Sequence, residues 1–324
     1  MRTVAALTFR LHRFEVLAVW LGSFILTAAA IVMAVRLQGV GVSPECFGNI
    51  DVHGTPNPSM AGCEAVLQRF AEIDAREVGV LYAILFVFPA LAGLVLGTPA
   101  VSRELERGTA ALPWTLDGSR WRWLAGRAAL LLALLLVALA PLALATDYLQ
   151  GVRHPAADPT MAFGDDVVRG GVLVAIGAAA FGIGVLMGLV LGRQLPSLIV
   201  AGLLSASLFA GVTVVLDQWS ASVAEVRGIE EGRPGDRSID TRFQAADGTL
   251  VAMSDVLKLQ PDRLHLPEGT IDDQWLNDNY TEVSILVPRE RYPQAVAIRS
   301  GLLVGGSLLA LLGSLWLVER RRPG

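Results

Sequence analysis

The feature that most limits the fold is a set of six long stretches that contain no charged residue. They cover residues 16–35, 78–102, 128–146, 170–192, 194–216 and 300–318. Each has roughly the 20 residues that a helix needs to cross the hydrocarbon core of a bilayer. The alternative is a set of buried helices in a large soluble protein, but core helices rarely run this far without a charge. We therefore predict an all-α membrane protein with six transmembrane helices.

The arginines indicate how these helices are oriented. A short polar segment, residues 101–127, links the second and third stretches. It contains five arginines: Arg103, Arg107, Arg120, Arg122 and Arg127. Short loops rich in arginine stay in the cytoplasm. With this segment inside, both arginine-rich ends of the chain are inside as well. We predict a multi-pass protein of the plasma (inner) membrane with both termini in the cytoplasm.

The first 14 residues have the spacing of an amphipathic helix. Val4, Leu7, Leu11 and Phe14 fall on one helical face, and the arginines lie elsewhere. We predict that this helix lies on the inner membrane surface. The alternative is a basic leader that only sets the topology. A cleaved signal peptide is disfavoured, because the apolar run after Glu15 is longer than a signal-peptide core.

The segment between the fifth and sixth stretches, residues 217–299, is acidic and is predicted to lie outside. It contains a hairpin signal, Asp247-Gly248, between two strand-like runs, and a further predicted strand at residues 281–287. We expect a small α+β extracytoplasmic domain between transmembrane helices five and six. The chain then divides into residues 1–216 with five transmembrane helices, the domain at 217–299, and residues 300–324 with the sixth helix and a basic tail.

The first outside segment, residues 37–77, holds the only two cysteines, Cys46 and Cys63. Disulfides persist on the non-cytoplasmic side of a membrane, so we predict a bond between them. Two free thiols, or half of a metal site with His53, are the alternatives, although the spacing fits no standard zinc finger.

Proline and glycine residues are expected to shape two transmembrane helices. Pro89 predicts a kink in the second helix, and Gly-Thr-Pro at residues 97–99 predicts a break. Gly184, Gly188 and Gly192 recur at four-residue spacing in the fourth helix. Small residues at this interval allow close helix packing. We expect that packing within the chain, with dimerisation as the alternative.

The charged residues nearest to the transmembrane helices lie at their ends. Arg36, Arg169, Asp217 and Arg299 flank the uncharged stretches, and their side chains are expected to extend to the membrane surface. Ion-coupled carriers and channels usually have charged groups inside the membrane. A transported substrate is therefore expected to be apolar or amphipathic, with energy supplied by another subunit.

No motif predicts a catalytic, cofactor-binding or metal site. The sequence has no Gly-x-x-x-x-Gly-Lys-Ser/Thr loop for nucleotide phosphates, no His-Glu-x-x-His helix and no Gly-x-Ser-x-Gly elbow. The four histidines, which are expected to be solvated, are His12, His53, His154 and His265. We predict that the chain is not an enzyme and has no nucleic-acid partner.

Several features together resemble the permease subunits of type 2 ABC exporters, of the actinobacterial kind. Residues 102–109 read Ser-Arg-Glu-Leu-Glu-Arg-Gly-Thr, close to the Glu-x-Glu-Arg-Gly-Thr signature of that family. Residues 119–123, Ser-Arg-Trp-Arg-Trp, and Arg127 match the family pattern that leads into the third helix. The basic N-terminal helix and the basic C terminus also fit. The outside domain departs from compact members of the family.

The resemblance implies type 2 ABC exporter topology and a division of labour between subunits. Two permeases, identical or homologous, would pair with two separate ABC ATPase subunits, which would bind ATP and Mg²⁺. The contact with the ATPase would be made by Arg103, Glu104, Glu106, Arg107, Gly108 and Thr109. The alternative for these charges is that they form local helix pairs.

One main hypothesis and two alternatives follow. We expect the permease subunit of an ATP-driven exporter that moves an apolar or amphipathic substrate outward through the lipid membrane. The alternative is a non-transporting sensor or scaffold whose extracytoplasmic domain binds a ligand or partner. An intramembrane enzyme has little support, because no predicted helix carries a nucleophile paired with a His, Asp or Glu.

Overall fold

The computed structural model describes residues 9–43, 46, 63–109, 119–155, 157–158, 160–164, 167–228, 231–259 and 273–320. Among these residues, six helical segments are long and apolar enough to cross a membrane. They are Arg13–Gln38, Glu64–Glu106, Arg120–Arg153, Gly170–Leu191, Gln194–Val223 and Arg289–Arg320. Each corresponds to one uncharged stretch, so the prediction of six such helices is confirmed.

The helices are labelled in chain order. The first seven are α1 (Arg13–Gly39), α2 (Glu64–Ile73), α3 (Gly79–Gly97), α4 (Pro99–Glu106), α5 (Arg120–Arg153), α6 (Gly170–Leu191) and α7 (Gln194–Val223). A π-helical turn, Asp74–Val78, joins α2 to α3, so that α2, α3 and α4 form one long second segment. The end of the bundle that carries residues 103–109 is called the turn end, and the opposite end is called the domain end.

The predicted break in the second segment is only a one-residue interruption. Thr98 keeps helical dihedral angles, with φ −60° and ψ −52°, and its amide donates to the Leu94 carbonyl at 3.0 Å. Pro99 has no N–H and removes one hydrogen bond, but it begins α4, where proline is tolerated. Pro89 lies inside α3. The polar residues that follow are therefore a helical continuation of the apolar segment.

The central helix of the bundle is α6. In its most apolar part 83% of the residues are buried, compared with 17% in α7. A Cβ atom at Gly188 would lie 2.5 Å from Thr98 O, and one at Gly184 would lie 3.0 Å from Thr98 N. Gly192 instead ends α6 in the left-handed conformation, with φ +65°. The glycine stripe thus combines two close-packing positions and one helix end.

A small sheet domain, residues 225–287, follows α7. Its antiparallel strands have the order β1-β4-β2-β3, with β1 at Glu225–Gly228, β2 at Arg237–Ala245, β3 at Leu250–Val251 and β4 at Tyr280–Val287. Two short helices, α8 (Met253–Leu259) and α9 (Asp273–Asn279), lie between β3 and β4, and α10 (Tyr292–Arg320) follows the domain. The predicted hairpin is present, since Phe243 pairs with Val251 and Gly248 has a φ of +86°. The strand predicted at residues 281–287 is β4.

The sheet domain begins and ends on neighbouring strands. Glu225 in β1 pairs with Leu286 in β4, so the chain enters and leaves the domain at one place. The predicted segment 217–299 includes the end of α7 and the start of α10. The amide of Phe163 donates to the Gly235 carbonyl at 2.9 Å. This bond ties the domain to the loop between α5 and α6.

At the domain end, covalent and ionic contacts join the first three long segments. A disulfide links Cys46 to Cys63, the residue that precedes α2. Arg153 in α5 donates to both carboxylate oxygens of Asp74, at 2.5 and 2.9 Å. Because Asp74 lies in the π-helical turn, this ion pair joins the third long segment to the start of the second.

Candidate functional site

The end of α4 gives residues 103–109 a defined shape. Gly108 has a φ of +69°, a conformation that favours glycine. Its amide donates to the Leu105 carbonyl at 3.2 Å, and the Thr109 amide donates to the Glu104 carbonyl at 3.0 Å. This pair of bonds is the Schellman arrangement, which ends many helices. The Glu-Arg-Gly-Thr sequence therefore closes the helix in a compact turn.

The six residues predicted to contact an ATPase divide into two sets by exposure. The exposed set is Glu106, Arg107, Gly108 and Thr109. The side chains of Arg103 and Glu104 are only 24% and 16% exposed. The first set is exposed, whereas the side chains of the second set are held by contacts inside the chain.

The partners of Arg103 and Glu104 come from two other elements. The Arg103 guanidinium forms an ion pair with Glu15 and donates to the Leu11 carbonyl at 3.2 Å. Glu104 accepts a hydrogen bond from Nη1 of Arg127 at 2.5 Å. These partners are distant in the sequence, so these two charges do not form the local helix pairs considered above.

Arg127 in α5 is almost fully buried, with 4% exposure. Its Nη2 lies 2.8 Å from Nε2 of His12, and its guanidinium lies 5.3 Å from the centre of the Trp123 ring. Burial and the neighbouring charge of Arg127 lower the pKa of His12 to about 4. The imidazole is therefore neutral near pH 7. Its Nε2 accepts the bond from Arg127, and its proton is on Nδ1.

The expectation that the histidines are solvated is wrong for His12, which is completely buried. The contact with Arg127 explains this, because it draws the residues before α1 against α5. His154 is exposed, and His53 and His265 lie outside the described residues. Of the predicted surface helix, residues 9–11 are helical, and residues 1–8 lie outside the described residues.

Glu106 connects the turn to the hairpin between α6 and α7. Its Oε2 accepts a hydrogen bond from the Gln194 amide at 3.0 Å. Gln194 is the first residue of α7, where amides have no partner within the helix. A carboxylate is also favourable at this end of the helix dipole. The turn is therefore held by three parts of the chain, which are the start of α1 with the residues just before it, α5, and α7.

At the domain end, two arginines are buried in the bundle. Arg169 is 5% exposed and Arg299 is 7% exposed, so the expectation that their side chains extend to the membrane surface is wrong. Arg169 instead donates to Asp147 at 3.2 Å and to the Ala162 carbonyl at 3.3 Å, and it lies beside the ring of Tyr292. These contacts pair the guanidinium within the protein. The two end charges that are exposed, as expected, are Arg36 and Asp217.

A cavity of about 560 Å³ opens beside Asp147 and Arg169. Thr160 adds to its polar wall, and Val296 and Ala297 from the first turns of α10 form an apolar wall. A cavity of this size with walls of both kinds suits an amphipathic molecule. In the part of the chain that the structure describes, no group of three or more His, Cys, Asp or Glu side chains could hold a metal ion.

Sequence reasoning missed the residues that hold the turn, namely His12, Glu15 and Gln194, and gave Arg127 no role of its own. One signal was available. His12 and Glu15 precede the first uncharged stretch, and Arg127 precedes the third, so all three lie at the same end of their helices. The hydropathy pattern shows that these three residues lie at the same membrane surface, but it does not show which helices are neighbours.

A family model described as ABC-2 membrane transporter related matches residues 16–219. The matched range is more than half of the chain and contains the turn, and it ends before the sheet domain. No curated protein and no solved structure matches the chain. The chain is a multi-pass membrane protein that belongs to the ABC-2 membrane transporter related family.

Proposed function

We propose that this chain is the permease subunit of an ATP-driven exporter, which moves an apolar or amphipathic substrate outward with energy from separate ATPase subunits. The observation that carries the proposal is the exposed face of the turn, Glu106, Arg107, Gly108 and Thr109. It presents charges of both signs on a closed and anchored helix end. Charged contacts with a fixed geometry give a docking surface its register and specificity.

The route from this surface to the bundle interior is short. Because α4 continues α3 through Thr98, a displacement of the turn acts along the whole second segment. That segment packs on α6 with almost no free space at Gly184 and Gly188. Closely packed helices shift as units and deform little. Closure of the ATPase subunits would therefore move α3 and α6 together.

Two observations support an apolar or amphipathic substrate. The six uncharged stretches leave the middle of the bundle without the charged groups that ion transport requires. The cavity at the domain end combines Asp147 on its polar wall with Val296 and Ala297 on its apolar wall. In this cavity, the polar part of an amphipathic molecule would face Asp147, and its apolar part would face Val296 and Ala297.

The assembly in this proposal contains two permeases and two ATPase subunits. The turn end and both termini face the cytoplasm, the sheet domain lies outside the plasma (inner) membrane, and the ATPase subunits bind ATP and Mg²⁺. The second permease is a copy of this chain or a homologue. The largely exposed apolar surface of α7 supports a contact with a second permease or with lipid.

The experiment is co-purification of the full chain with ATPase subunits from native membranes. We expect an ATPase to accompany the wild-type chain. Arg107→Glu should lower its recovery by about tenfold or more, since this requires a loss of only about 1.4 kcal/mol. The matched control is Arg320→Glu, which reverses another exposed charge at the turn end. The proposal fails if no ATPase is recovered, or if the two variants behave alike.

The sensor or scaffold alternative gives the main role to the sheet domain. The bond between Phe163 and Gly235 favours a domain that moves with the bundle. Because Val226 pairs with Ile285, a two-residue turn can replace residues 227–284 without separating α7 from α10. ATPase coupling that survives this deletion favours the exporter. Loss of all function in a correctly inserted variant favours the scaffold.

A further inference from the structure

A partly buried polar cluster lies at the turn end, where residues 11–15, around the start of α1, meet α4 and α5. It consists of Glu15, Arg103, Glu104, Arg127 and the neutral His12, and its formal charges cancel. Each guanidinium pairs with one carboxylate: Arg103 with Glu15, and Arg127 with Glu104. Burying a charge is costly unless it is paired, so these groups hold their three elements in one arrangement.

Arg127 is the member of the cluster that reaches two elements at once. Its Nη1 donates to Glu104 in α4, and its Nη2 donates to His12, which precedes α1. The ring of Trp123, one turn earlier in α5, lies beside the guanidinium and limits its movement. A guanidinium holds two donors in a fixed fork, which an ammonium group does not.

Glu104 connects this anchor to the exposed face of the turn. Its side chain is held by Arg127, and its backbone carbonyl accepts the Thr109 amide that closes the Schellman turn. Through Glu104 alone, Arg127 therefore helps to fix where the exposed residues lie, namely Glu106, Arg107, Gly108 and Thr109.

Stability alone does not account for an ionic cluster of this kind, because a well-packed apolar core is often at least as stable. Four of its buried side-chain atoms, within the described part of the chain, have no hydrogen-bond partner: His12 Nδ1, Glu15 Oε2, Glu104 Oε2 and Arg127 Nε. Buried polar groups are normally satisfied, and a partly satisfied ionic cluster contributes less to stability than a well-packed apolar core. Ionic groups of this kind are better explained by the single arrangement of helices that they specify than by the stability that they add.

We infer that Arg127 is a positioning residue for ATPase coupling, which fixes the turn through Glu104 and makes the N-terminal residues 11–15 part of the same moving unit. The functional half of this inference rests on the proposed function. The mechanical half, that Arg127 joins the N-terminal residues to the turn, does not depend on any ATPase and is tested separately.

The mechanical half is tested on the purified full chain with spin labels at two exposed positions, Arg10→Cys and Arg107→Cys. The native cysteines are bonded to each other and do not take the label. We expect one narrow distance distribution. Arg127→Gln should widen it about twofold, because local order is lost where contacts are removed. The control, Arg122→Gln, removes an exposed charge from the same helix and should leave the width unchanged.

A second variant covers the case in which Arg127→Gln does not fold. His12→Ala removes one acceptor of Arg127 and leaves its ion pair with Glu104 intact. It should also widen the distribution, by less than Arg127→Gln. A width equal to that of the wild type in a folded variant of either kind overturns the mechanical half.

The functional half is tested on the co-purified complex. In Arg127→Gln we expect the ATPase to be recovered as in the wild type. The KM for ATP should be unchanged, and the kcat for ATP hydrolysis should be about 10- to 100-fold lower. A misplacement of about 1 Å produces an effect of this size. Arg127→Lys keeps the charge without the fork and should be intermediate. An unchanged kcat, or a loss of recovery equal to that in Arg107→Glu, overturns the inference. If the wild-type chain recovers no ATPase, the proposed function fails instead.

Discussion

Replacing Gly188 with alanine tests how tightly the second segment packs on the central helix. The added Cβ would lie 2.5 Å from Thr98 O, whereas ordinary van der Waals contact begins at 3.4 Å. This oxygen belongs to the backbone, so no side-chain rotation relieves the overlap, and the helices must separate by about 1 Å. Overpacking costs about 1–3 kcal/mol. Alanine recovers about 0.5–1 kcal/mol in a helix, which leaves a net loss of up to about 2.5 kcal/mol.

Thermal unfolding of the detergent-purified chain, followed by tryptophan fluorescence, measures this loss. We expect the Tm of Gly188→Ala to fall by about 1–4 °C. The control is Gly301→Ala in α10, where the added Cβ meets no atom of the described residues within 4 Å and the Tm should stay constant or rise. Equal changes in the two variants, or a higher Tm for Gly188→Ala, would refute the close contact between α6 and Thr98.

Three further outcomes are expected. Cys46 and Cys63 should resist alkylation in mass spectrometry until a reductant is added, and Cys46→Ser should lower the free energy of unfolding by about 3 kcal/mol, since the bond closes a 17-residue loop. The pKa of His12 is about 4 in the folded protein and 6.5 in the unfolded chain. Between pH 4 and pH 6.5, His12 is therefore protonated in the unfolded chain and neutral in the folded protein. The free energy of unfolding is therefore unaffected by His12 above pH 6.5 and should be about 2 kcal/mol lower at about pH 5. His12→Gln should lack this part of the pH dependence in the same unfolding assay. Asp147→Asn removes the charge that pairs with the buried Arg169 and should cost about 1–3 kcal/mol, whereas Asp217→Asn at an exposed pair should cost less than about 1 kcal/mol.

Features set by short stretches of sequence were predictable. Uncharged runs determine where helices can lie in a membrane, and Asp247-Gly248 supplies the positive φ that a tight hairpin needs. The Glu-Arg-Gly-Thr sequence drew attention to the turn for its charges. Its shape follows from a different local rule, the preference for glycine just beyond the end of a helix.

Features set by contacts between distant elements were not predictable in the same way. The continuation of the helix through Thr98 depends on its packing against α6, which overrides the local tendency of Gly-Thr-Pro to break a helix. The burial of Arg169 depends on Asp147, 22 residues earlier in the chain. The division of the six turn residues into an exposed and an anchored set depends on His12, Glu15 and Arg127, whose helices become neighbours only in the folded bundle.

The central position of α6 also constrains how the protein can be made. Gly182 packs directly against the backbone of Ser307 in α10, and the Ser307 hydroxyl donates to the Ala178 carbonyl at 2.7 Å. Since α10 follows the sheet domain in the chain, this surface of α6 stays uncovered by α10 while the sheet domain is synthesised. A chain that stops before residue 292 lacks the contacts that Ser307 makes with α6. The packing of α6 is therefore complete only after α10 has been made.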